Sequence, residues 1–139
     1  MKLFDHIKEK GAEVIRIDGL FPIFLVQNTM CELVGWYVMH YGWGNGYVGL
    51  PSWHPYYKID YNEIPIDCHG GLTYGHLDED DDLWVIGFDT AHSDDDKIKW
   101  PKERVQEECE SIVEQCMKVK EAQRINKLNK LNKIFNGNI

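Results

Sequence analysis

The amino-acid sequence predicts one α+β domain, in which a mostly antiparallel sheet of β-hairpins packs against a short N-terminal helix and a long C-terminal helix. Three observations lead to this fold class. Short β-rich runs separated by turn residues fill the first two thirds of the chain, an apolar stripe of helical period follows Pro101, and 139 residues suffice for one core. We expect a single domain over residues 1–139, with a sheet-rich body at 1–96 and the long helix and a tail at 97–139.

The N-terminal elements are predicted from their local periodicity. "LFDHIKEKG" is typical of a short helix that ends at Gly11. "EVIRI" alternates as a strand does, and the apolar run "IFLV" follows after Gly19 and Pro22, which interrupt regular structure. The pattern therefore indicates a helix followed by two strands.

Two hairpins are predicted in the middle of the chain. In the first, "LVGWYVMHY" and "YVGL" flank "GWGNG", whose glycines suit the positive φ of tight turns. In the second, "LTYGHL" and "LWVIGF" are joined by "DEDDD", whose five charges cannot be buried together. Between the two hairpins lies "PSWHPYYKIDYNEIP", a proline-bounded loop that is rich in aromatic residues.

The C-terminal third predicts one long helix. Pro101 suits the first turn, and nearby glutamates complement the helix dipole. Its apolar stripe consists of Val105, Cys109, Ile112, Cys116 and Val119. The apolar spacing continues beyond what one small sheet covers, so we expect a homo-oligomer that forms through this helix, with contacts from Leu128, Leu131 and Ile134.

The composition excludes several functional classes. The net charge is −8, and the chain up to Asp96 has 5 basic and 17 acidic residues, which argues against a surface for duplex nucleic acid. The longest apolar runs are too short to cross a bilayer, and no apolar signal segment follows the first lysine. Four cysteines without a CxxC pair suggest a reducing cytosol. We therefore expect a cytoplasmic protein without a membrane partner.

The candidate functional residues concentrate in two short stretches. "DCHGGLTYGH" places His69 before Gly70 and Gly71 at the start of a strand, where glycine lets the backbone come close to a ligand. "GFDTAH" places Asp89 and His92 just after the partner strand. Because the end of one hairpin strand lies opposite the start of the other, we expect His69, Asp89 and His92 to lie within a few ångströms. Asp89 would orient His69 or act as its acid–base partner.

The same three residues are ligand types for zinc or iron, and His54 or His76 would complete a set. Their spacing matches no zinc signature, and hydrogen bonding between histidine and aspartate explains it without a metal. Cys68 alternates to the opposite face from His69, which disfavours a Cys–His nucleophile pair. The sequence therefore predicts no cofactor, no metal site and no catalytic residue.

The aromatic loop suggests a pocket that stacks a base or ring and binds its phosphate with neutral donors. Trp53, His54 and Tyr57 are its best candidates because they lie in the proline-flanked segment, while most other aromatic side chains are expected in the core. The predicted ligand-binding residues are Trp53, His54, Tyr57, His69, Gly70, Gly71, Tyr74, Asp89 and His92.

"GYVGLPSWHPYYKIDYNEIPIDCHGGLTYG" followed by "WVIGFDTAH" resembles a family of small phage and prophage proteins that share H-G-G-L-T-Y and G-F-D-x-A-H motifs. The resemblance covers roughly residues 46–92 and includes neither the N-terminal segment nor the C-terminal helix. Family members often carry Cys at the position of Thr90 and Gly-Asp soon after the last histidine, where this chain has "SDDD". The resemblance implies a viral accessory protein that acts in the host cytoplasm, often as a counter-defence factor.

Three functions are compatible with these patterns. The first is a phage-encoded counter-defence protein that binds and sequesters a nucleotide immune signal, of the cyclic nucleotide or cyclic ADP-ribose type, without cleaving it. The second is a small hydrolase or metal-assisted enzyme that uses His69, Asp89 and His92. The third is a protein–protein inhibitor of a host defence factor.

Overall fold

The computed structural model describes residues 13–15, 21–27, 31–34, 37–92, 94–119, 124 and 127–132. The predicted N-terminal helix lies outside these residues. Among the helices that are described, none is long and apolar enough to cross a membrane.

The described chain forms two antiparallel sheets, a short 3-10 helix (Tyr61–Glu63) and α-helical segments near its C-terminal end, which is compatible with the predicted α+β class. The strands are β1 (Glu13–Ile15), β2 (Ile23–Gln27), β3 (Cys31–Val34), β4 (Tyr37–His40), β5 (Gly44–Pro51), β6 (Tyr74–Asp78) and β7 (Leu83–Phe88). Five of them form one sheet in the order β1-β2-β5-β7-β6, and β3 pairs with β4 in a second sheet. Every pairing is antiparallel.

The hairpin around the acidic loop is confirmed. β6 pairs with β7 in a register that sets Tyr74 opposite Gly87 and Asp78 opposite Leu83. The four residues between the strands form the turn, where Asp82 has a φ of 51°. This register brings the segment before β6 and the segment after β7 to the same end of the sheet, which is where the candidate residues lie.

The predicted hairpin around "GWGNG" is wrong. β5 begins at Gly44, inside that motif, and lies between β2 and β7, while β4 pairs with β3. The glycines serve close packing here and not a turn. A Cβ on Gly44 would lie 2.0 Å from the carbonyl oxygen of Val26, and one on Gly46 would lie 2.3 Å from Cys109 Sγ. Only glycine allows β2 and the helix to approach β5 this closely.

The C-terminal helix α1 (Lys102–Met117) follows Pro101, as predicted, and packs against β5 and β2. It buries the stripe Val105, Cys109, Ile112, Val113 and Cys116. Lys118 caps the helix through its amide to the carbonyl of Glu114, so Val119, which was assigned to the stripe, lies beyond its end. The chain is helical again at residues 127–132.

The core lies between α1 and one face of the five-stranded sheet. Alternate residues along three adjacent strands point into it, as the period of two along a strand requires, while residues between them such as Phe24 and Val85 are buried on the opposite face. The residues that point into the core are Ile23, Leu25, Val48, Leu50, Ile86 and Phe88. Trp100, just before α1, is buried in the same cluster. The candidate residue His69 packs against its indole ring.

Candidate functional site

His69 is positioned by a turn that is clamped to α1. The side-chain amide of Gln115 accepts from the amide of Asp67 at 2.8 Å and donates to its carbonyl at 2.7 Å, and Glu108 accepts from the His69 amide at 3.3 Å. Gly70 then turns the chain with a φ of 69°. As a result, the His69 imidazole lies on the Trp100 indole, with ring centroids 4.1 Å apart.

His92 is positioned by a compact loop after β7. The Asp89 carboxylate accepts from the amide of Ala91 at 3.1 Å. The amide of His92 donates to Asp95 Oδ2 at 2.9 Å, and the amide of Asp95 donates to the His92 carbonyl at 2.9 Å. These bonds satisfy the backbone locally and turn the chain back, so that Asp95 lies beneath the imidazoles.

The two imidazoles share one nearly buried carboxylate. Asp95 Oδ1 lies 2.7 Å from His69 Nε2, and Asp95 Oδ2 lies 2.7 Å from His92 Nδ1. The far nitrogen of His92, Nε2, faces Asp89 Oδ1 at 3.6 Å. We call these four residues the His–Asp cluster. Its imidazoles meet edge to face, with centroids 5.1 Å apart.

The electrostatics of the cluster favour an ionised Asp95. Burial alone would raise the pKa of this carboxyl, but hydrogen bonds from the His92 amide, the His92 ring and the His69 ring outweigh it and lower the pKa. A carboxylate held among donors in this way stays negatively charged and favours a positive charge beside it.

Gly70 is required because the His92 ring packs on its backbone. A Cβ at this position would lie 2.5 Å from His92 Cε1 and 2.6 Å from Nε2. At Gly71, where φ is 78°, a Cβ would meet no described atom within 4 Å. Gly70 is therefore required both for the positive φ of the turn and for the space that the His92 ring occupies. Gly71 is required for the positive φ alone.

A cleft of about 330 Å³ lies beside the cluster, between α1 and the 67–69 segment. His69 and Arg104 both line it and both pack on Trp100, with the guanidinium carbon 4.1 Å from the indole centroid. Its other lining residues are mostly polar: Asp67, Cys68, Glu108, Ser111 and Gln115. Burial first, and then the charges of Glu108 and Asp67, raise the pKa of Cys68 to about 12, so its thiol stays protonated.

The structure brings His69, Gly70, Asp89 and His92 together, as the hairpin pairing predicted. The predicted partnership of Asp89 with His69 needs a correction, since His69 bonds Asp95 and Asp89 faces His92. The reason is the turn after His92, which hairpin pairing does not reveal. The i,i+3 spacing of "HSDD" was the available signal, but three successive aspartates left the choice among them open.

The aromatic loop does not contribute to this cluster. His54, 3% exposed, packs edge-on against Phe21, accepts from the Tyr56 amide at Nδ1 and donates from Nε2 to the Cys116 carbonyl. Burial lowers its pKa, and the bond to Cys116 partly offsets this shift. His54 therefore supports the end of α1, which needs a donor for its last carbonyls, and its role in ligand binding stays a prediction.

The remaining predicted ligand residues also have partners of their own. Trp53 packs against the core, the hydroxyl of Tyr57 donates to Asp82 in the acidic turn, and Tyr74 meets Tyr47 edge to face with centroids 5.2 Å apart. None of Trp53, Tyr57 and Tyr74 is among the residues that line the cleft. Their role in ligand binding stays a prediction.

Comparisons with known proteins add no relative: no protein-family model, no curated protein and no solved structure matches this chain. The resemblance to small phage proteins therefore stays a prediction from the motifs, and the functional argument rests on the geometry of the His–Asp cluster and the cleft.

Proposed function

We propose that this protein binds a small nucleotide-type signal in the cleft beside the His–Asp cluster and sequesters it without cleaving it. One observation carries the proposal: His69 and Arg104 pack on the same indole and present an imidazole and a guanidinium to one polar cleft. The resemblance to phage proteins supports the biological setting, which is counter-defence in the host cytoplasm.

The mixed polarity of the cleft suits a nucleotide better than a simple anion. The guanidinium of Arg104 matches the two-oxygen geometry of a phosphate. The carboxylates of Asp67 and Glu108 accept hydrogen bonds, as exocyclic amines and ribose hydroxyls require, while the Gln115 amide is engaged with the Asp67 backbone and shapes the cleft wall. The volume of about 330 Å³ lies at the small end of ligand pockets, which favours a ligand no larger than a single nucleotide unit within the cleft.

Sequestration is favoured over covalent turnover because the thiol that lines the cleft is not activated. Cys68 has a raised pKa, and two neighbouring carboxylates, Glu108 and Asp67, oppose its ionisation. Tight binding of an intact signal is enough to remove it from a receptor, so the proposed role needs no chemical step.

The test is to incubate the protein with a panel of cyclic nucleotides and cyclic ADP-ribose isomers, remove the free ligand, denature the protein and identify what is released. We expect an intact nucleotide. A cleaved product would establish an enzyme in place of a binder, and an empty protein would favour an inhibitor that acts on a defence protein directly.

The variant Arg104→Ala tests whether the ligand binds in this cleft. Removal of a charge-assisted hydrogen bond of about 1.5 to 3 kcal/mol should weaken binding roughly tenfold to a hundredfold in calorimetric titration. Lys118→Ala is the matched control, since it removes an exposed cation just past the end of the same helix. Equal losses in both variants would mean that general charge, and not this cleft, attracts the ligand.

We also propose that the protein forms a homo-oligomer through its C-terminal region. Leu128 and Leu131 are 51% and 41% exposed on the helical stretch 127–132. Light scattering of Leu128→Glu/Leu131→Glu should show dissociation to the monomer. Asn129→Glu/Asn132→Glu places the same charges on neighbouring positions and should leave the oligomer intact. A wild-type monomer at micromolar concentration would contradict the proposal.

A further inference from the structure

We propose that His69, His92 and Asp95 form a site for one divalent transition-metal ion such as Zn²⁺, and that Asp89 supports the site through His92. This inference does not depend on the proposed nucleotide, because it concerns the cluster and not the cleft. The three side chains offer two imidazole nitrogens and one carboxylate, and their ligand atoms all lie within 4.8 Å of one another.

The donor set is one that such metals accept. Two histidines and one carboxylate hold catalytic zinc and non-haem iron in many proteins, with bonds of about 2.0 to 2.2 Å. Bonds of that length at tetrahedral or octahedral angles hold neighbouring donor atoms about 3.0 to 3.4 Å apart. The two observed nitrogen–oxygen distances of 2.7 Å, one to each oxygen of Asp95, are a few tenths of an ångström shorter, and the set as a whole lies within 4.8 Å, so a small shift of the side chains admits the ion.

The second carboxylate, Asp89, lies where a small approach to His92 would let it favour the tautomer that metal binding needs. A metal at His92 Nδ1 displaces the proton of that nitrogen, and the imidazole then carries its proton on Nε2. That nitrogen faces Asp89 Oδ1 at 3.6 Å. Metal-bound histidines usually donate their other N–H to a carboxylate or a carbonyl, which fixes the ring and strengthens the ligand. If His92 only donated a hydrogen bond to Asp95, its proton would stay on Nδ1. Nε2 would then carry no N–H for Asp89 to accept.

The ligand side chains are held in place before any ion arrives. His69 lies on the Trp100 indole, and His92 lies against the backbone of Gly70. Asp95 is fixed by the amide of His92 and is nearly buried. Because these positions are set by packing and backbone bonds, the ion would not have to order the site.

The imidazoles remain partly open to solvent, with 25% of the His69 side chain and 39% of the His92 side chain exposed. Three protein ligands leave at least one coordination position for water or for a ligand oxygen. His69 also lines the cleft, so a molecule bound there would lie next to the ion. The sequence disfavoured a metal because the spacing of His69, Asp89 and His92 matches no zinc signature, and Asp95 was not among the candidate ligands.

The experiment is a calorimetric titration of Zn²⁺ into chelator-treated, full-length protein without nucleotide. We expect one equivalent with a dissociation constant of micromolar or below. His69→Ala and His92→Ala should each weaken binding by at least about a hundredfold, and Asp89→Asn by about tenfold to a hundredfold. His76→Ala is the matched control, since it removes an exposed histidine that bonds only its own strand, at Leu77.

A wild-type protein that takes up no equimolar Zn²⁺ overturns the proposal whether or not the variants fold. Loss of binding in His76→Ala equal to that in His92→Ala overturns it as well, because the ion would then be held by scattered surface histidines. Co²⁺ gives a second measurement: its visible absorption bands should appear with the wild type and vanish with His92→Ala. Nucleotide binding can fail while all of these results hold, so the two proposals fail separately.

Discussion

Two histidine-containing regions of this molecule look alike in sequence and differ in structure. The aromatic loop holds His54 between two backbone groups, the Tyr56 amide and the Cys116 carbonyl, under a buried ring. The His–Asp cluster holds His69 and His92 around a carboxylate at a partly open surface. The His54 imidazole is engaged by two backbone groups and supports the fold, whereas His69 and His92 share a carboxylate that favours a positive charge beside it.

The largest effect expected from this contrast is on folding stability at His54. His54→Ala removes two buried hydrogen bonds, leaves the Cys116 carbonyl unsatisfied and opens a cavity against Phe21. We expect a loss of about 3 to 5 kcal/mol in the free energy of unfolding, from chemical denaturation. The Tm should fall by roughly 10 to 20 °C. A free energy of unfolding unchanged within about 0.5 kcal/mol would contradict the view that His54 stabilises the fold more than the histidines of the His–Asp cluster do.

Gly70→Ala tests how tightly the cluster is built. The new Cβ would overlap the His92 ring and would also be strained at positive φ, so we expect a loss of about 2 to 4 kcal/mol. Gly71→Ala is the control, since its Cβ meets no described atom nearby and it carries the backbone strain alone, about 1 kcal/mol. Denaturation curves of the two variants should differ, and coincident curves would show that His92 is free to move.

His69→Ala should cost far less stability than His54→Ala. Asp95 keeps its bonds from the amide and the ring of His92, and His69 is partly exposed, so we expect a loss of only about 1 kcal/mol. Binding of the ligand in the cleft should still weaken tenfold to a hundredfold. Melting and binding measured on one preparation separate the effects. A Tm loss as large as that of His54→Ala would mean that both histidines are structural.

The smallest effect is the pH dependence of stability that His54 contributes. Burial lowers its pKa in the folded state below the ordinary value of 6.5, so the unfolded chain binds the proton more readily. This contribution is therefore complete above about pH 6.5 and is lost as the pH falls toward the folded pKa. Denaturation midpoints between pH 7.5 and 5 should fall more steeply for the wild type than for His54→Gln. Parallel profiles would place His54 in a solvated environment.

Elements that depend on the local sequence pattern were predicted correctly, whereas contacts that depend on tertiary packing were missed. The β6–β7 hairpin followed from alternation around a charged turn, and the α1 stripe followed from helical period. The "GWGNG" hairpin failed because glycines that admit a close neighbour look the same as glycines in a turn. Asp95 was missed because its position depends on a loop that reverses after His92. The contact of His54 with the Cys116 carbonyl was not foreseen because Cys116 lies on α1, 62 residues away in sequence.

The spacing of the partners along the chain also suggests an order of folding. His69 and Asp95 are 26 residues apart and flank a single hairpin, whereas His54 and Cys116 are 62 residues apart and join only when α1 docks. Closing the longer loop costs about 0.8 kcal/mol more in chain entropy. The contact between His69 and Asp95 can therefore form early with the hairpin, but Gln115 and Glu108 of α1 must still clamp the turn that carries His69, so a chain leaving the ribosome would complete the cluster only when the helix docks.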